Sequence, residues 1–263
     1  MPVRDADDLI LAELCARAVG RAEPARPFGS FASARQYRPL YRLVRRYVPI
    51  GSTVLDWGAG NGHFGYFLTR SDYRSIAFTL SDASMADWVD RPYERVEQGT
   101  TEDPVSLPFG DEELDAVASV GVLEHVPESS GNEAASLGEI ERILIPGGVF
   151  LCFHLPNRTS WIDAFAGWVP GKHHHRFRYT RRDIERLVAG AGLELVEVRR
   201  YGLLPRNVLR LLPKRTRSSW AFADAWDRLD DLLSWPLAAI SQNYLFVARK
   251  RVAVNSGRDG TTG

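Results

Sequence analysis

The fold is decided by the stretch Val54-Leu55-Asp56-Trp57-Gly58-Ala59-Gly60-Asn61-Gly62, which reads as a buried strand that runs into a turn containing three glycines. Glycine has no Cβ, so alternating glycines allow positive φ angles and let backbone amides approach a ligand closely. Asp56 adds a fixed negative charge at the same turn. The stretch therefore predicts a turn that cradles a nucleotide cofactor.

Strand and helix patterns alternate on both sides of this turn. Strands are predicted at residues 53–57, 75–80, 93–98, 114–120, 148–154, 193–200 and 243–250. Helices are predicted at residues 5–20, 34–48, 62–69, 83–89 and 133–144, and after Thr180, which forms a capping-box pattern with Asp183. This alternation predicts an α/β fold with a mainly parallel sheet covered by helices on both faces. In such sheets, ligands bind beyond the carboxyl ends of the strands.

The length and composition predict one domain with additions. The chain has 263 residues, 44% of them apolar, which is enough for one sizeable core, and no linker divides it into comparable halves. We expect a single domain over residues 1–250. It comprises a helical cap (1–49), a cofactor-binding core (50–200), a lid insertion (201–240) and a last strand (241–250). Residues 251–263 are small and polar, and they predict a disordered tail.

The charge balance and the cysteines limit the partners and the compartment. Thirty-three basic residues balance 33 acidic ones, which argues against binding of bulk nucleic acid. Cys15 and Cys152 form no metal-ligand or redox pair, so a reducing compartment is expected. Asp5, Asp7 and Asp8 stand where a signal peptide would be basic, and no apolar run nears the roughly 20 residues of a membrane span. We therefore predict a cytoplasmic protein without a transmembrane segment.

The glycine turn by itself admits two classes of cofactor. Gly60, Gly62 and Gly65 also satisfy the G-x-G-x-x-G spacing of dinucleotide-binding proteins. Both classes place an acidic residue at the end of the second strand to hold ribose hydroxyls. Asp82, twenty residues after Gly62, is in the right place for either class.

Four further segments follow the glycine turn along the chain, and together they distinguish between the two classes of cofactor. They are Leu107-Pro108-Phe109, Leu114-Asp115-Ala116-Val117, Leu123-Glu124-His125-Val126-Pro127 and Glu141-Arg142-Ile143-Leu144-Ile145-Pro146-Gly147-Gly148. With the glycine turn, they resemble class I S-adenosylmethionine-dependent methyltransferases, particularly the group that includes ubiquinone and menaquinone methyltransferases. The resemblance covers roughly residues 50 to 200 and extends to the segment from His174 to Thr180. It implies a Rossmann-like, seven-stranded sheet with the last strand antiparallel, and S-adenosylmethionine as the cofactor.

The resemblance also implies which residues hold the cofactor. They stand at successive strand ends: Asp56, Gly58, Gly60, Gly62, Asp82, Ala83, Thr100, Thr101, Val120 and His125. The glycine turn would line the methionine part, Asp82 would bind the ribose and Ala83 would touch the adenine. Many relatives have an aspartate beside the adenine amino group, where this chain has Thr100 and Thr101, and a hydroxyl accepts that hydrogen bond only weakly.

The residues after the fourth strand argue against a metal. Ubiquinone-type relatives can show Glu-x-x-Glu-His there, but the first of those positions is Gly121 in this chain. Glu124 and His125 alone make a poor metal site. The adjacent histidines 173–175 would diverge from one another in a helix or a strand, so they do not predict a shared ion. We expect no metal requirement.

Histidines are the candidates for catalysis. Methyl transfer depends mainly on alignment, and holding both reactants in attack geometry can supply on the order of 7 to 11 kcal/mol. An oxygen nucleophile also needs a base, for which histidine is the natural choice. Candidates are His154, His125 and the run 173–175, and we favour His154 because the end of its strand opens onto the acceptor side. The expected function is methyl transfer to a small or lipid-like acceptor, preferably at oxygen.

The lid segment carries a cluster of charges. Seven basic residues and no acidic one lie within residues 199–217. With the interleaved leucines they predict either peripheral membrane contact or binding of a phosphate-bearing acceptor. We favour the alternative that they pair with the acidic residues Asp224, Asp227, Asp230 and Asp231. An apolar set at helical spacing predicts packing over the sheet: Trp220, Trp226, Leu229, Leu232, Leu233 and Trp235.

Two other functions remain open from the sequence. An NAD-dependent oxidoreductase would use the same glycine turn, but it would leave the segments around residues 107–109, 124–125 and 146–148 unexplained. A non-catalytic binding protein on a methyltransferase scaffold is hinted at only by Thr100. The sequence predicts no oligomeric state.

Overall fold

The computed structural model describes residues 5–21, 23–80, 89, 92–129, 131–166 and 175–252. The predicted helix at residues 83–89 lies outside these ranges except for Val89. Asp82, Ala83, the first two residues of the histidine run and the predicted tail from residue 253 onward also lie outside them.

The described residues form helices and strands close to the predicted positions. The helices are Ala6–Arg17 (α1), Phe31–Ala34 (α2), Arg38–Tyr47 (α3), His63–Arg70 (α4), Glu133–Ile143 (α5), Trp161–Ala166 (α6), Arg181–Gly190 (α7), Lys214–Arg217 (α8) and Trp220–Ser234 (α9). The strands are Thr53–Trp57 (β1), Arg74–Thr79 (β2), Arg95–Gln98 (β3), Leu114–Val120 (β4), Leu144–Pro156 (β5), Leu193–Tyr201 (β6) and Asn243–Lys250 (β7). Short 3-10 helices occur at Glu23–Phe28, Arg35–Tyr37, Leu123–Ser129, Arg206–Leu211 and Ala238–Ile240.

The seven strands form one sheet in the order β3-β2-β1-β4-β5-β7-β6. Strands β1 to β5 pair in parallel, whereas β7 is antiparallel to both of its neighbours, β5 and β6. The predicted seven-stranded sheet with an antiparallel last strand is therefore confirmed. The strand order reverses between β1 and β4, so their carboxyl ends flank the crevice in which ligands of such sheets bind.

Each face of the sheet has its own core. On one face, α1, α3 and α4 pack against inward-facing residues of β1, β4 and β5. On the other face, α5 and α7 bury a second cluster that includes Leu137 and Ile184. Thr180 caps α7 in the predicted capping box, since Thr180 Oγ1 accepts a hydrogen bond from the Asp183 backbone N–H while the Asp183 side chain accepts one from the Thr180 backbone N–H. Within the described ranges, no helix is long and apolar enough to cross a membrane.

Strand β5 differs most from its prediction. It begins at Leu144, directly after α5, because Leu144 pairs with Leu114 of β4 before the turn at Gly147. Its pairing with β7 shifts register between Cys152 and Leu155, which places His154 in a bulge near the strand's carboxyl end. Bulges of this kind redirect a side chain and often lie beside functional sites.

The lid helix α9 packs less completely than predicted. Trp220 and Trp226 lie against the core, but Leu229, Leu232 and Trp235 are 46%, 70% and 89% exposed. The prediction that the whole apolar set packs over the sheet was therefore wrong. The helix packs on the cap and not on the sheet. Only one face of the helix makes this contact, and Ala223 on that face is fully buried.

A buried ion-pair cluster joins this lid to the cap. Arg35 is 1% exposed, and its guanidinium lies 2.5 Å from Asp224 Oδ1, 2.9 Å from Asp227 Oδ2 and 3.6 Å from Asp8 Oδ1. Arg206 adds a second contact to Asp227 at 2.6 Å and donates to the backbone carbonyl of Ala32. Residues far apart in sequence, from α1, the segment after α2, and α9, are therefore held together by charge.

Candidate functional site

The glycine turn lies at the carboxyl end of β1, next to the carboxyl end of β2. Gly58 has a φ of +80°, and its N–H and that of Ala59 both donate to the Phe78 carbonyl, at 2.9 Å and 3.1 Å. Gly62 ends the turn and precedes α4, whose N-terminus therefore points toward the crevice. The first N–H groups of a helix carry partial positive charge, which suits a carboxylate or a hydroxyl-rich ligand.

The glycines of the turn differ in what surrounds them. A Cβ on Gly58 would lie 2.5 Å from Val122 Cγ2, and a Cβ on Gly65 would lie 2.3 Å from the ring of Tyr93. A Cβ on Gly60 would meet only the Gly58 carbonyl oxygen, at 3.6 Å, and one on Gly121 would meet nothing closer than 3.6 Å. Gly58 and Gly65 are thus needed for packing, while Gly60 and Gly121 leave room that a ligand can use.

Asp56 lies beneath the turn and is 2% exposed. Its Oδ2 accepts a hydrogen bond from the Tyr93 hydroxyl at 2.5 Å, a contact that the Gly65 position makes possible because it lets the Tyr93 ring approach. Burial raises the pKa of Asp56 to about 7, although the Tyr93 hydrogen bond acts in the opposite direction. The carboxylate is therefore held by the protein itself, and its assignment to cofactor binding stays a prediction.

The raised pKa of Asp56 has a consequence for stability. An acid whose pKa is about 7 when folded and near 3.8 when unfolded destabilises the fold as the pH rises between those values. Asp56→Asn should leave the free energy of unfolding unchanged below about pH 4 and increase it above about pH 7 by up to roughly 4 kcal/mol. Urea unfolding at several pH values measures this, with the exposed Asp111→Asn as the control. An equal difference at about pH 4 and about pH 8 would contradict it.

A cavity of about 980 Å³ opens at the carboxyl ends of β4, β5 and β6. The cap contributes one wall through α3 and the segment before it, and the lid contributes another through α9 and residues near 204–206. Its floor is formed by six residues: Val120, Gly121, Glu124, His154, His175 and Tyr201. The cavity thus begins at the end of β4, beside the crevice of the glycine turn, and continues outward between cap and lid.

His154 lies on this floor in a constrained position. Its φ is +66°, and its backbone N–H, displaced by the bulge, donates to the Tyr201 hydroxyl at 3.0 Å. The same hydroxyl lies 2.9 Å from His154 Nδ1. Because the hydroxyl accepts from the backbone, its own hydrogen is available for Nδ1, which leaves the ring proton on Nε2. Burial, and then the charges of His175 and Arg206, lower the pKa of His154 to about 3.

Glu124 is a second unusual group on the floor. It belongs to the 3-10 helix after β4, is 4% exposed, and its Oε2 has no hydrogen-bond partner among the described residues. Burial raises its pKa to about 7. A buried polar atom without a partner costs about 1 to 3 kcal/mol, so it indicates a position where a ligand donates a hydrogen bond.

Aromatic residues of the cap and α4 pack beside His154. The Tyr37 ring is 4.2 Å from the His63 ring and 5.5 Å from the His154 ring. His63 Nδ1 is 2.6 Å from Asn61 Oδ1, and His63 Nε2 is buried without a partner among the described residues. The sequence analysis did not select Tyr37, His63 or Tyr201. Of these three residues, only Tyr201 could have been selected from the sequence, because it directly follows the predicted strand at residues 193–200 and the carboxyl ends of strands face the site.

The other predicted site residues are more scattered. His125 is 45% exposed at its side chain, where Nδ1 contacts Glu128 Oε2 at 2.8 Å, and it does not line the cavity. Thr100 and Thr101 are exposed after β3, and Thr100 Oγ1 accepts from the Asp103 backbone. Of the histidine run, His175 reaches the cavity, and its pairing with Asp163 raises its pKa. The roles predicted for His125, Thr100 and Thr101 stay predictions.

The charges of the lid pair only in part as predicted. Arg206 pairs with Asp227, but Asp224 pairs with Arg35 of the cap instead. Asp230 accepts backbone N–H groups of residues 203 and 204, at 2.9 Å and 2.7 Å. In the described part of the chain, no group of three or more His, Cys, Asp or Glu side chains could hold a metal ion. The expected absence of a metal requirement stays a prediction.

Comparison with known proteins gives a family for this arrangement. A family model described as a methyltransferase domain matches residues 15–198. The chain is 31% identical over 176 residues to an uncharacterized methyltransferase of Mycobacterium sp. (strain KMS), which covers 62% of this chain and 64% of that protein. It is 31% identical over 137 residues to a demethylmenaquinone methyltransferase of Mycobacterium bovis (strain BCG / Pasteur 1173P2), covering 52% and 55%. The matched region spans less than two thirds of the length of these relatives.

Solved structures share the fold at low identity. The putative methyltransferase in a complex with the Haloferax volcanii Trm112 methyltransferase activator matches with a TM-score of 0.58 and 19% identity, covering 95% of this chain and 99% of that chain. Phosphoethanolamine N-methyltransferase 2 of Haemonchus contortus, solved with S-adenosyl-L-methionine, matches with a TM-score of 0.54 and 18% identity, covering 82% and 53%. At such identities, the likeness concerns the fold.

Proposed function

Since the chain belongs to the methyltransferase-domain family, we propose that it transfers a methyl group from S-adenosylmethionine to a small or lipid-like acceptor, at an oxygen atom. The observation that carries the proposal is the cavity at the carboxyl ends of β4, β5 and β6, whose lining includes Val120 and Gly121 at the end of the strand that pairs with β1. A donor in the crevice and an acceptor in this cavity would meet at Gly121.

The crevice has the features that the donor requires. Gly60 and Gly121 leave open space at the ends of β1 and β4, and the N-terminus of α4 faces the same point. The residues proposed to hold the donor are Asp56, Gly58, Gly60, Gly62, Asp82, Ala83, Thr100, Thr101, Val120 and His125. When bound, S-adenosylmethionine supplies an activated methyl group whose leaving group is a neutral thioether. The protein's own task is to align the two reactants and to exclude water.

The acceptor side favours a molecule with an apolar body and a polar end. Tyr37 offers a buried aromatic wall, and Trp235 stands at the mouth of the cavity with 89% of its surface exposed. On the floor, His154 presents an Nε2–H that can donate a hydrogen bond to an acceptor oxygen. The relative named demethylmenaquinone methyltransferase supports an aromatic, lipid-like acceptor.

Binding of the donor can be measured without knowing the acceptor. Isothermal calorimetry should show binding of S-adenosylmethionine and of S-adenosylhomocysteine, and no binding of NAD. Asp82→Ala should weaken binding by roughly 1.5 to 3 kcal/mol through the loss of charge-assisted hydrogen bonds to ribose. The exposed Asp111→Ala should bind as the wild type does.

Two results would contradict the proposal. Binding of NAD without binding of S-adenosylmethionine would point to an oxidoreductase, and binding of neither would point to a non-catalytic protein. An unchanged affinity in Asp82→Ala would mean that the ribose lies elsewhere, without affecting the rest of the proposal.

A further inference from the structure

We propose that Glu124 accepts the proton of the acceptor's hydroxyl group during methyl transfer. This inference rests on the proposed function, because it requires donor and acceptor to meet in the cavity. From residue type alone, histidines are the candidates for proton transfer, and Glu124 with His125 makes only a poor metal site. In the structure, Glu124 and His154 have different hydrogen-bond partners and different pKa values.

The position of Glu124 suits this role. It lines the floor of the cavity, is 4% exposed, and its Oε2 has no partner among the described residues. Its other oxygen, Oε1, lies 3.6 Å from the point that a Cβ on Gly121 would occupy, and His154 Cβ lies 3.8 Å from the same point. Glu124 and His154 therefore flank the place where the acceptor oxygen would approach the donor.

Glu124 can both accept and release a proton near neutral pH. Burial raises its pKa to about 7, so both the charged and the neutral form are populated there. The titratable groups whose charges act on it come from several elements: His125, Glu128, Cys152, His175, Tyr179 and Tyr201. Of these, His125 and His175 favour the charged carboxylate, and Glu128 opposes it.

His154 is poorly suited to take the same proton. Its Nδ1 is occupied by the Tyr201 hydroxyl, and its Nε2 already carries the ring proton. The pKa of about 3 keeps the ring neutral across the physiological range. His154 can therefore hold the acceptor oxygen by donating from Nε2 while Glu124 receives the proton.

A lone pair of the acceptor oxygen forms the new C–O bond to the methyl carbon, and the O–H proton passes to Glu124 Oε2. The electron pair of the broken S–C bond remains on sulfur, which becomes a neutral thioether. Glu124 then releases its proton to solvent through the open end of the cavity.

The carboxyl group can be observed directly. The infrared C=O stretch of protonated carboxyl groups, recorded between about pH 5 and about pH 9 with S-adenosylhomocysteine bound, should contain a band that titrates near neutrality. Glu124→Gln should remove that band, and the matched control Glu128→Gln, four residues away and exposed, should retain it. Asp56→Asn identifies the separate band of Asp56, another buried carboxyl whose pKa is raised to about 7. Absence of any Glu124-dependent titration would overturn the proposal.

The role in transfer is tested with labelled S-adenosylmethionine and two hydroxyl probes, catechol and naphthohydroquinone. We expect Glu124→Gln to lower kcat by about 100-fold or more and to abolish the fall in rate below about pH 7, since a positioned base contributes about 10² to 10⁴. The affinity for S-adenosylhomocysteine should stay within about threefold. Glu128→Gln should keep a rate that falls as Glu124 becomes protonated, with the fall moved slightly toward lower pH, because the negative charge of Glu128 raises the pKa of Glu124.

The outcomes separate this inference from the proposed function. If the wild type does not bind S-adenosylhomocysteine, the proposed function fails. If it binds but Glu124→Gln transfers methyl groups at the wild-type rate, only the role of Glu124 fails. A loss of affinity of tenfold or more with an unchanged kcat would assign Glu124 to holding the donor, and would also overturn the proposal.

Discussion

Replacing Gly58 by alanine should reduce the affinity for S-adenosylhomocysteine by about 30-fold or more and should destabilise the fold. A side chain at a φ of +80° costs about 1 to 2 kcal/mol, and the added Cβ would overlap Val122, whose Cγ2 lies 2.5 Å away. Relieving that overlap requires backbone shifts worth about 1 to 3 kcal/mol. Val122 follows Gly121, so the shift would move the end of β4 where the donor is proposed to bind.

Two further variants separate strain from steric overlap. Gly51 has a φ of +86° and nothing within 4 Å of its Cβ position, so Gly51→Ala isolates the cost of the backbone conformation. It should lower the melting temperature without changing affinity. Combining Gly58→Ala with Val122→Ala should restore part of the loss. If Gly58→Ala behaves like Gly51→Ala in both calorimetry and thermal unfolding, the contact with Val122 does not matter.

Arg35→Met should be the most destabilising charge substitution in the cap. Arg35 is 1% exposed and contacts Asp8, Asp224 and Asp227, so its removal leaves the buried Asp8 and the mostly buried Asp227 with fewer partners, while Asp224 is half exposed to solvent. Breaking a buried ion pair in this way costs about 3 to 5 kcal/mol. Arg38 and Arg206 still contact Asp8 and Asp227, which favours the lower end of that range. Urea unfolding gives the change in free energy.

The matched control is Arg46→Met. Arg46 is 68% exposed at its side chain and pairs with Glu197 at 3.3 Å, so this variant should lose less than about 1 kcal/mol. Equal losses in the two variants would mean that the Arg35 cluster is no stronger than a surface pair. Arg35 and Asp227 line the cavity and join the cap to the lid, so Arg35→Met should loosen the lid. A loosened lid should be cleaved more easily by protease between residues 204 and 240.

The sequence predicted the elements of the fold well because local patterns determine them. Strand β1 has the predicted bounds of Thr53–Trp57, β7 has those of Asn243–Lys250, and the Thr180 capping box starts α7. Hydrophobic periodicity, turn residues and caps act over a few neighbouring residues, so they can be read along the chain. The mainly parallel sheet with an antiparallel last strand was predicted from the alternation of strands and helices and from the family resemblance.

The chemistry of the site could not be predicted in the same way. The bulge at His154 depends on its pairing with β7, and its bonds to Tyr201 join residues 47 positions apart. The burial of Glu124 and the Asp56 contact with Tyr93 likewise arise only when distant segments pack. Such contacts set protonation, whereas the sequence indicates only residue type. For this reason residue type alone favours histidine as the base, and the burial of Glu124 becomes visible only in the fold.

The lid leaves the sheet after Tyr201 and returns at Asn243, two residues that are paired in neighbouring strands. Its two ends are therefore adjacent, so the segment can change in length or sequence without moving the strands at whose ends the donor is proposed to bind. The segment also lies beyond the residues 15–198 that the family model matches. Changes confined to this segment would therefore alter the choice of acceptor and leave the proposed donor site in place.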